Sequence, residues 1–430
     1  MKYEEYKDSG VEWIGEVPSH WGIHRFKNFT SLQTEASNNE NKIGLENIEG
    51  KTGRYIESTS EFEGDGVGFN IGDIVYGKLR PYLQKVWLAT FAGNAVGDFF
   101  VFKAMQNCYN KYLFYVMVSD GFTAICNGAT IGAKMPRVSS GFIRGLHFFL
   151  PPLSEQHAIA DYLDVKCGEI NRAIDVQKKK IDLLNELKQT VITNTVTKGL
   201  NPNAPMKDSG VEWIGEVPEH WEVMKLNFAC NKITDFVASG SFADLRSNVT
   251  YLDEPDYAML IRTADLSGKD KNVAKVYITK HSYHFLSNSN LFGGEVILPN
   301  IGASIGDVYI MPNNMHDKTS LGPNSIMLIS KTDNKFLFYL LCSKRWKEAL
   351  ILLGQAAAQS KFNKTDLRAL KAIIPPIQEQ QAIVAHIEKE VEKIDAQIFK
   401  ANRKIKLLDE LKQSIITEAV TGKIKVFNTL

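Results

Sequence analysis

Residues 7–21 read KDSGVEWIGEVPSHW, and the same sequence returns at residues 207–221 with Glu219 in place of Ser19 as the single change. Glycines and a proline mark turns within both copies. Neither copy combines a nucleophile or a set of metal ligands with its acidic residues. We therefore expect both to be docking segments that pack on something long and rigid. Their candidate anchors in the first copy are Trp13, Ile14, Val17 and Trp21.

A second repeated segment follows the double prolines at residues 151–152 and 375–376, and its two copies stay in register at an offset of 224. In the first copy, Ser154 is a candidate helix cap and Gly199 a candidate stop. Both copies carry apolar residues at heptad spacing, and unpaired helices would leave these stripes in water. The pattern predicts two helices, each about 65 Å long, that pair as a coiled coil. The pairing residues are Leu163, Ile170, Ile174, Ile181, Leu184 and Val191 in the first helix, and Ile387, Val391, Ile394, Ile398, Ile405, Leu408 and Ile415 in the second.

Two nearly constant parts thus alternate with two divergent α/β parts, so the chain contains one module used twice. Constant parts are expected to build a scaffold, and divergent parts to bind different things. The predicted organisation is a docking segment at 1–21, a first divergent domain at 22–153, a long helix at 154–199, a linker with the repeated docking segment at 200–221, a second divergent domain at 222–376, a second long helix at 377–422 and a tail at 423–430.

Composition indicates an ordinary globular protein of two or three domains, with 430 residues, 44% hydrophobic and 23% charged residues. The formal net charge is only +1, so a nucleic acid would have to be bound by a local patch. The five cysteines are scattered, which favours neither a disulfide framework nor zinc. No apolar run is long enough for a membrane span, and no signal peptide is evident. We expect a cytoplasmic setting without a membrane partner.

The first divergent domain segregates its charge. Residues 35–65 hold eight acids and three bases, whereas residues 66–150 hold eight bases and three acids. Such a basic surface suits a polyanion. Strand-like runs are expected at residues 73–76, 85–89 and 98–103, and a helix at residues 111–119.

Two stretches resemble catalytic motifs, but one has the wrong spacing and the other lies in a structural element. The stretch from Gly128 to Lys134 resembles a phosphate-binding loop, but it is one residue short and Met135 replaces the hydroxyl that would bind magnesium. Glu186 and Lys188 imitate a nuclease motif inside the predicted coiled coil. We therefore expect no catalytic residues, no metal and no cofactor.

The duplicated order of divergent domain and long helix resembles the specificity subunit of type I restriction-modification systems. The resemblance extends over nearly the whole chain. It is carried by KDSGVEWIGEVPxHW, by PPLSEQHAIADYL and PPIQEQQAIVAHI, by the helix endings LKQTVITNTVTKG and LKQSIITEAVTGK, and by GDIVYGKLRPYLQKV with its looser counterpart GGEVILPNIGASIGDVYI.

This resemblance implies a non-catalytic subunit with two α/β target-recognition domains held apart by two antiparallel helices. Each domain would read one half of a split, asymmetric sequence in double-stranded DNA. The helices would fix the spacer, and two modification (methyltransferase) subunits would dock on them. Restriction (endonuclease and translocase) subunits would complete the assembly. A scaffold or adaptor that binds proteins, and a self-sufficient enzyme, are the alternatives.

Candidate DNA-binding residues lie in glycine-containing loops and are of the types that contact phosphates or base edges. In the first divergent domain they are Lys78, Arg80, Tyr82, Lys134 and Arg137. In the second they are Asn300, Ser304, Lys318, Thr319, Gln355, Gln359 and Lys361.

Overall fold

The computed structural model describes residues 2–11, 14–268, 272–354 and 360–426. Trp13, Gln355 and Gln359 lie outside these described residues. The chain forms two compact units, of which unit 1 is Met1–Lys180 with Lys400–Leu430 and unit 2 is Ile181–Phe399. Each unit therefore combines a divergent domain with one half of each long helix.

Unit 1 is a mixed α/β domain. Its strands are β1 Tyr6–Asp8, β2 Glu16–Pro18, β3 Gly22–Arg25, β4 Thr30–Gln33, β5 Lys42–Ile43, β6 Val67–Phe69, β7 Ile74–Gly77, β8 Val86–Leu88, β9 Gly93–Ala95, β10 Phe99–Ala104 and β11 His147–Leu150. Its helices are α1 Asn110–Val118, α2 Asp120–Gly128, α3 Ser140–Gly145 and the first part of α4 Leu153–Lys198.

The central sheet of unit 1 has the antiparallel order β4-β10-β7-β8, and a smaller sheet has the order β5-β9-β6. Strands β3 and β11 pair at the entrance to α4. The predicted strands and helix are confirmed within one or two residues. The residues just before the double proline at 151–152 form α3 and β11.

Unit 2 repeats this plan with additions. Its strands are β12 Met206–Asp208, β13 Glu216–Pro218, β14 Glu222–Lys225, β15 Cys230–Asp235, β16 Tyr251–Leu252, β17 Ala258–Ile261, β18 Val276–Ile278, β19 Asn290–Leu291, β20 Val296–Pro299, β21 Tyr309–Ile310, β22 Thr319–Leu321, β23 Ser325–Ser330 and β24 Lys371–Ile374. Its helices are α5 Leu226–Ala229, α6 Phe242–Asn248, α7 Thr263–Ser267, α8 Lys280–Phe285, α9 Asn334–Cys342, α10 Lys344–Gly354, α11 Lys364–Ala369 and the first part of α12 Ile377–Val420.

The sheet β15-β23-β20-β21 of unit 2 corresponds to the central sheet of unit 1. The second sheet is larger, with the order β16-β18-β17-β22-β19 in place of the three strands of unit 1. Additional chain in the second divergent domain therefore enlarges the second sheet and leaves the central one unchanged.

The long helices pair antiparallel within each unit. In unit 1, Leu163 near the start of α4 shares a core with Ile416 near the end of α12. In unit 2, Ile192 near the end of α4 shares a core with Ile387 near the start of α12. The predicted pairing is confirmed in both. Leu163, Ile170, Ile174, Leu184, Ile387 and Ile394 are buried, whereas Ile181, Val191, Val391, Ile398, Ile405, Leu408 and Ile415 are half-buried.

The ends of the helices differ slightly from the sequence-based expectation. Helix α4 begins at Leu153, so Ser154 lies inside its first turn and the prediction that it caps the helix was wrong. Gly199 has φ +73° directly after the last helical residue, which is the stop that was predicted. Helix α12 ends at Val420, and Gly422 has φ +70°.

Each docking segment packs on two helix ends at once. In unit 1, the Trp21 indole donates to Glu155 at the start of α4, and Tyr6 donates to the Gly422 carbonyl just after α12. In unit 2, Trp221 donates in the same way to Glu379 at the start of α12. Both tryptophans are fully buried. No helix among the described residues could span a membrane.

Candidate nucleic-acid interface

Two loops of the first divergent domain lie side by side and form one surface, which we call platform 1 (residues 78–83 and 130–138). The Arg80 amide donates to the Pro136 carbonyl at 2.8 Å, and the Val138 amide donates to the Lys78 carbonyl at 3.2 Å. Ile131 and Arg137 exchange backbone hydrogen bonds of 2.9 and 3.0 Å. The sequence presented these loops as separate candidates, and the backbone ladder makes them one rigid site.

Platform 1 presents cations and an aromatic side chain to solvent. Arg80 has φ 50°, in the left-handed region, and immediately precedes a 3-10 turn at Pro81–Leu83. Tyr82 in that turn is 49% exposed. Arg80 and Lys134 are both exposed, and neither forms an ion pair with any residue that the structure describes. Their charges are therefore available to an anionic partner.

Asp98 ties the other two cations of platform 1 together. It accepts from Arg137 Nε and Nη2, both at 2.8 Å, and lies 3.9 Å from Lys78 Nζ. The hydrogen bonds from Arg137 hold the pKa of Asp98 below its ordinary value. Because both oxygens occupy the Arg137 fork, that side chain is held in position and is less free than Arg80 to grip a base. Sequence reasoning missed Asp98, although it is one of three acids in the basic stretch.

The second divergent domain has an equivalent surface, which we call platform 2 (residues 300–304 and 360–362). Ile301 forms a β-bridge with Lys361, as Leu79 does with Arg137 in platform 1. Gly302 donates to the Ser360 carbonyl at 2.9 Å, and Phe362 donates to the Asn300 carbonyl at 3.1 Å. Platform 2 thus brings Asn300, Ser304 and Lys361 together, with an amide and a hydroxyl where platform 1 has cations.

The remaining candidates of the second divergent domain lie elsewhere. Lys318 is exposed, donates to Tyr257 Oη at 2.9 Å and lies 4.6 Å from the centroid of that ring. Thr319 is buried and donates to the Leu291 carbonyl at 2.9 Å. The expectation that its side chain contacts DNA was wrong, because the pairing of β22 with β17 and β19 encloses it. Gln355 and Gln359 lie outside the described residues.

Several known proteins resemble this chain in sequence or in fold. The family described as "Type I restriction modification DNA specificity domain" matches residues 218–407. Two relatives from Methanocaldococcus jannaschii match much more of the chain. The putative type I restriction enzyme MjaX specificity subunit is 26% identical over 96% of each chain. The type I restriction enzyme MjaVIII specificity subunit is 25% identical over 84% of this chain and 78% of its own.

The chain is therefore similar to type I restriction-modification specificity subunits over nearly its whole length.

A solved chain from work on complex assembly and conformational transition of the type I R-M system has the same fold as this chain. Its TM-score is 0.67 at 17% identity, with 95% of this chain and 99% of that chain covered. The chain therefore shares the fold of that solved chain, with two α/β domains and two long antiparallel helices. At this level of identity the likeness supports the fold alone. The equivalence of the two platforms is a feature of this chain's own two halves.

Proposed function

We propose that this chain is a specificity subunit that binds a bipartite, asymmetric sequence in double-stranded DNA, one half-site on each platform, and does no chemistry itself. The observation that carries this proposal is the repeated platform. Both platforms have the same backbone ladder, and their side chains differ. A common frame with different side chains suits two sites that bind the same kind of molecule and read different sequences.

The chemistry of each platform supports base and phosphate contacts. Arg80 and Lys134 can neutralise phosphates or donate to guanine, and both are free to do so. Asn300 and Ser304 belong to the residue types that read base edges, with Lys361 beside them for the backbone. Lys78, Arg137 and Tyr82 complete the proposed contacts of platform 1, and Lys318 is a further proposed contact outside platform 2.

The two helices are proposed to serve as the scaffold for partner subunits. Leu183 and Leu187 on α4 are 66% and 48% exposed, and their repeat equivalents Leu407 and Leu411 on α12 are 54% and 49% exposed. These exposed leucines contribute little to packing within the chain, yet both long helices carry the pair. Binding of the same kind of partner to each helix would explain the repetition. We propose that two modification subunits dock there and that restriction subunits join the assembly.

Salt dependence of DNA binding tests this function. The chain would be assembled with its modification subunits and titrated onto duplex carrying its methylated sequence at several salt concentrations. We expect steep weakening with salt, and Lys134→Ala should lower the magnitude of the slope by about one because one phosphate contact is lost. Lys27→Ala, an exposed lysine outside platform 1, is the control. A salt-independent interaction would favour the protein-binding adaptor instead.

The spacer between the half-sites is proposed to depend on helix length. Four residues inserted before Thr193 add about one turn, which shifts the following residues by about 6 Å and nearly restores their facing. Mapping methylated sites should then show unchanged half-sites separated by one or two additional base pairs, roughly, at about 3.4 Å per pair. An unchanged spacer in an active complex would contradict the ruler.

A further inference from the structure

A cavity of about 530 Å³ opens beside platform 2 and shares Asn300 and Ile301 with it. Much of its wall comes from the stretch between β15 and β16, including helix α6 and Tyr251. Ser241 caps α6 and forms a capping box with Asp244, so this wall is held in place. The cavity therefore belongs to the surface that we propose contacts DNA.

Two aromatic side chains in the cavity wall remain open to solvent. Phe242 is 82% exposed and Tyr251 is 53% exposed. Isolated exposed aromatics are ordinary, but here both line one concave site. A flat, partly apolar ligand could contact both rings. Nucleobases have this shape, and stacking on aromatic side chains is how proteins hold unpaired bases.

The same cavity contains unsatisfied polar groups. Ser325 is 2% exposed, and its Oγ is buried without a hydrogen-bond partner among the described residues. The Oδ1 atom of Asn300 is likewise buried and unpaired, while its Nδ2 donates to the Phe362 carbonyl at 3.0 Å. Unpaired buried polar atoms are costly, and a polar ligand edge would satisfy them. Both residues line the cavity, so a small rotation of their side chains would bring these polar atoms to a base edge.

Arg246 supplies a cation at the cavity wall. Its side chain is exposed and forms no ion pair with the residues that the structure describes. It lies four residues after Phe242, on the same face of α6. An unpaired guanidinium next to an aromatic ring suits a nucleotide, in which a phosphate and a base arrive together.

We propose that this cavity receives a nucleobase that has turned out of the DNA stack next to the half-site of the second divergent domain. The base would stack against Phe242 and Tyr251, with its polar edge toward Asn300 and Ser325 and its phosphate near Arg246. The inference rests on the proposed DNA-binding function and adds an unstacked base to it. Turning out a base costs stacking and pairing energy, which the aromatic and polar contacts offset.

Base-specific probes of unstacking test the proposal. The chain, assembled with its modification subunits, would be bound to duplex carrying 2-aminopurine or pyrrolocytosine at successive positions of this half-site, and thymines would be tested with permanganate. We expect one reactive position besides the base that the modification subunits methylate. Phe242→Ala with Tyr251→Ala should abolish that signal and weaken binding roughly tenfold, the loss expected from one base stack.

Phe292→Ala is the matched control, because Phe292 is 79% exposed in the same unit and lies outside the cavity lining. It should leave both signal and affinity unchanged. Absence of any additional reactive position, or a signal that survives the double substitution, would overturn the proposal while sequence-specific binding continued. If the unaltered complex showed no sequence-specific binding, the proposed function itself would fail.

Discussion

Units 1 and 2 hold their helices with the same residues and present different residues to solvent. Trp21 with Glu155 in unit 1 corresponds to Trp221 with Glu379 in unit 2, and both indole bonds are 3.1 Å long. Platform 1 and platform 2 share a backbone ladder and differ in charge. Residues at the buried contacts between docking segment and helix are therefore the same in both units, whereas residues in the exposed loops differ.

The two units also differ in a contact between the divergent domain and a long helix. In unit 1, Arg54 forms a two-pronged ion pair with Asp175 on α4, with contacts of 3.1 to 3.3 Å. The equivalent position on α12 is Phe399, which is 68% exposed. The first divergent domain therefore forms an ion pair with α4 at a position where α12 has no acidic residue.

The largest effect is expected at the duplicated tryptophans. Trp21→Ala and Trp221→Ala each leave a cavity at a fully buried joint and remove a hydrogen bond to a glutamate, so each should cost about 3–5 kcal/mol. Thermal unfolding would show destabilisation in unit 1 for the first variant and in unit 2 for the second. Ser19→Glu, which installs the residue of the other copy, is the control. A marked difference between the two tryptophans would break the equivalence of the units.

A charge in the helix seam should have the next largest effect. Ile181→Asp and its repeat equivalent Ile405→Asp place a carboxylate at half-buried positions, and we expect a loss of about 1–3 kcal/mol each. Ile170→Asp, at a buried position, should be more damaging. Denaturant unfolding provides the measurement. Equal tolerance of all three substitutions would contradict the paired seam.

Lys188 on α4 and Lys412 on α12 occupy equivalent positions of the two long helices and differ in burial. Lys412 in unit 1 is 3% exposed, with its ammonium 3.2 Å from Asn171 Oδ1, whereas Lys188 in unit 2 is more exposed and binds Asp395 at 2.8 Å. Lys412 also lies 3.6 Å from Asp409, so replacing the lysine alone leaves Asp409 and Asn171 without their partner, which destabilises. Lys412→Met should lower stability by about 1–3 kcal/mol, and Lys188→Met should change it by less than about 0.5 kcal/mol. Stabilisation by Lys412→Met would show that this ion is not needed.

The smallest effect concerns the ion pair between Arg54 and Asp175 in unit 1. Arg54→Ala removes a partly exposed ion pair, so its cost should be below about 1 kcal/mol and should decrease in high salt. Lys111→Ala, which breaks a pair with Asp164 that unit 2 repeats as Lys335 with Glu388, is the comparison. A loss from Arg54→Ala that persisted at high salt would point to packing rather than charge.

Sequence periodicity was sufficient to predict the two long helices, their ends within two residues and their pairing. Heptad spacing is a local property, and the same pattern occurs in both copies. The strands near residues 73–104 were also predictable from local patterns. Burial of Thr319 was not, since it depends on strands from distant parts of the chain. The Arg137–Asp98 pair, the cavity beside Asn300 and the joining of residues 78–83 to residues 130–138 are equally nonlocal. Each arises from side chains or loops brought together by the sheet.

Each divergent domain is proposed to read one half-site independently of the other. The most direct measurement exchanges residues 22–150 for the corresponding domain of another specificity subunit, assembles the complex with its modification subunits and sequences the methylated sites. One half of the recognised sequence should change, while the other half and the spacer are retained. A change in both halves, or in neither, would contradict it.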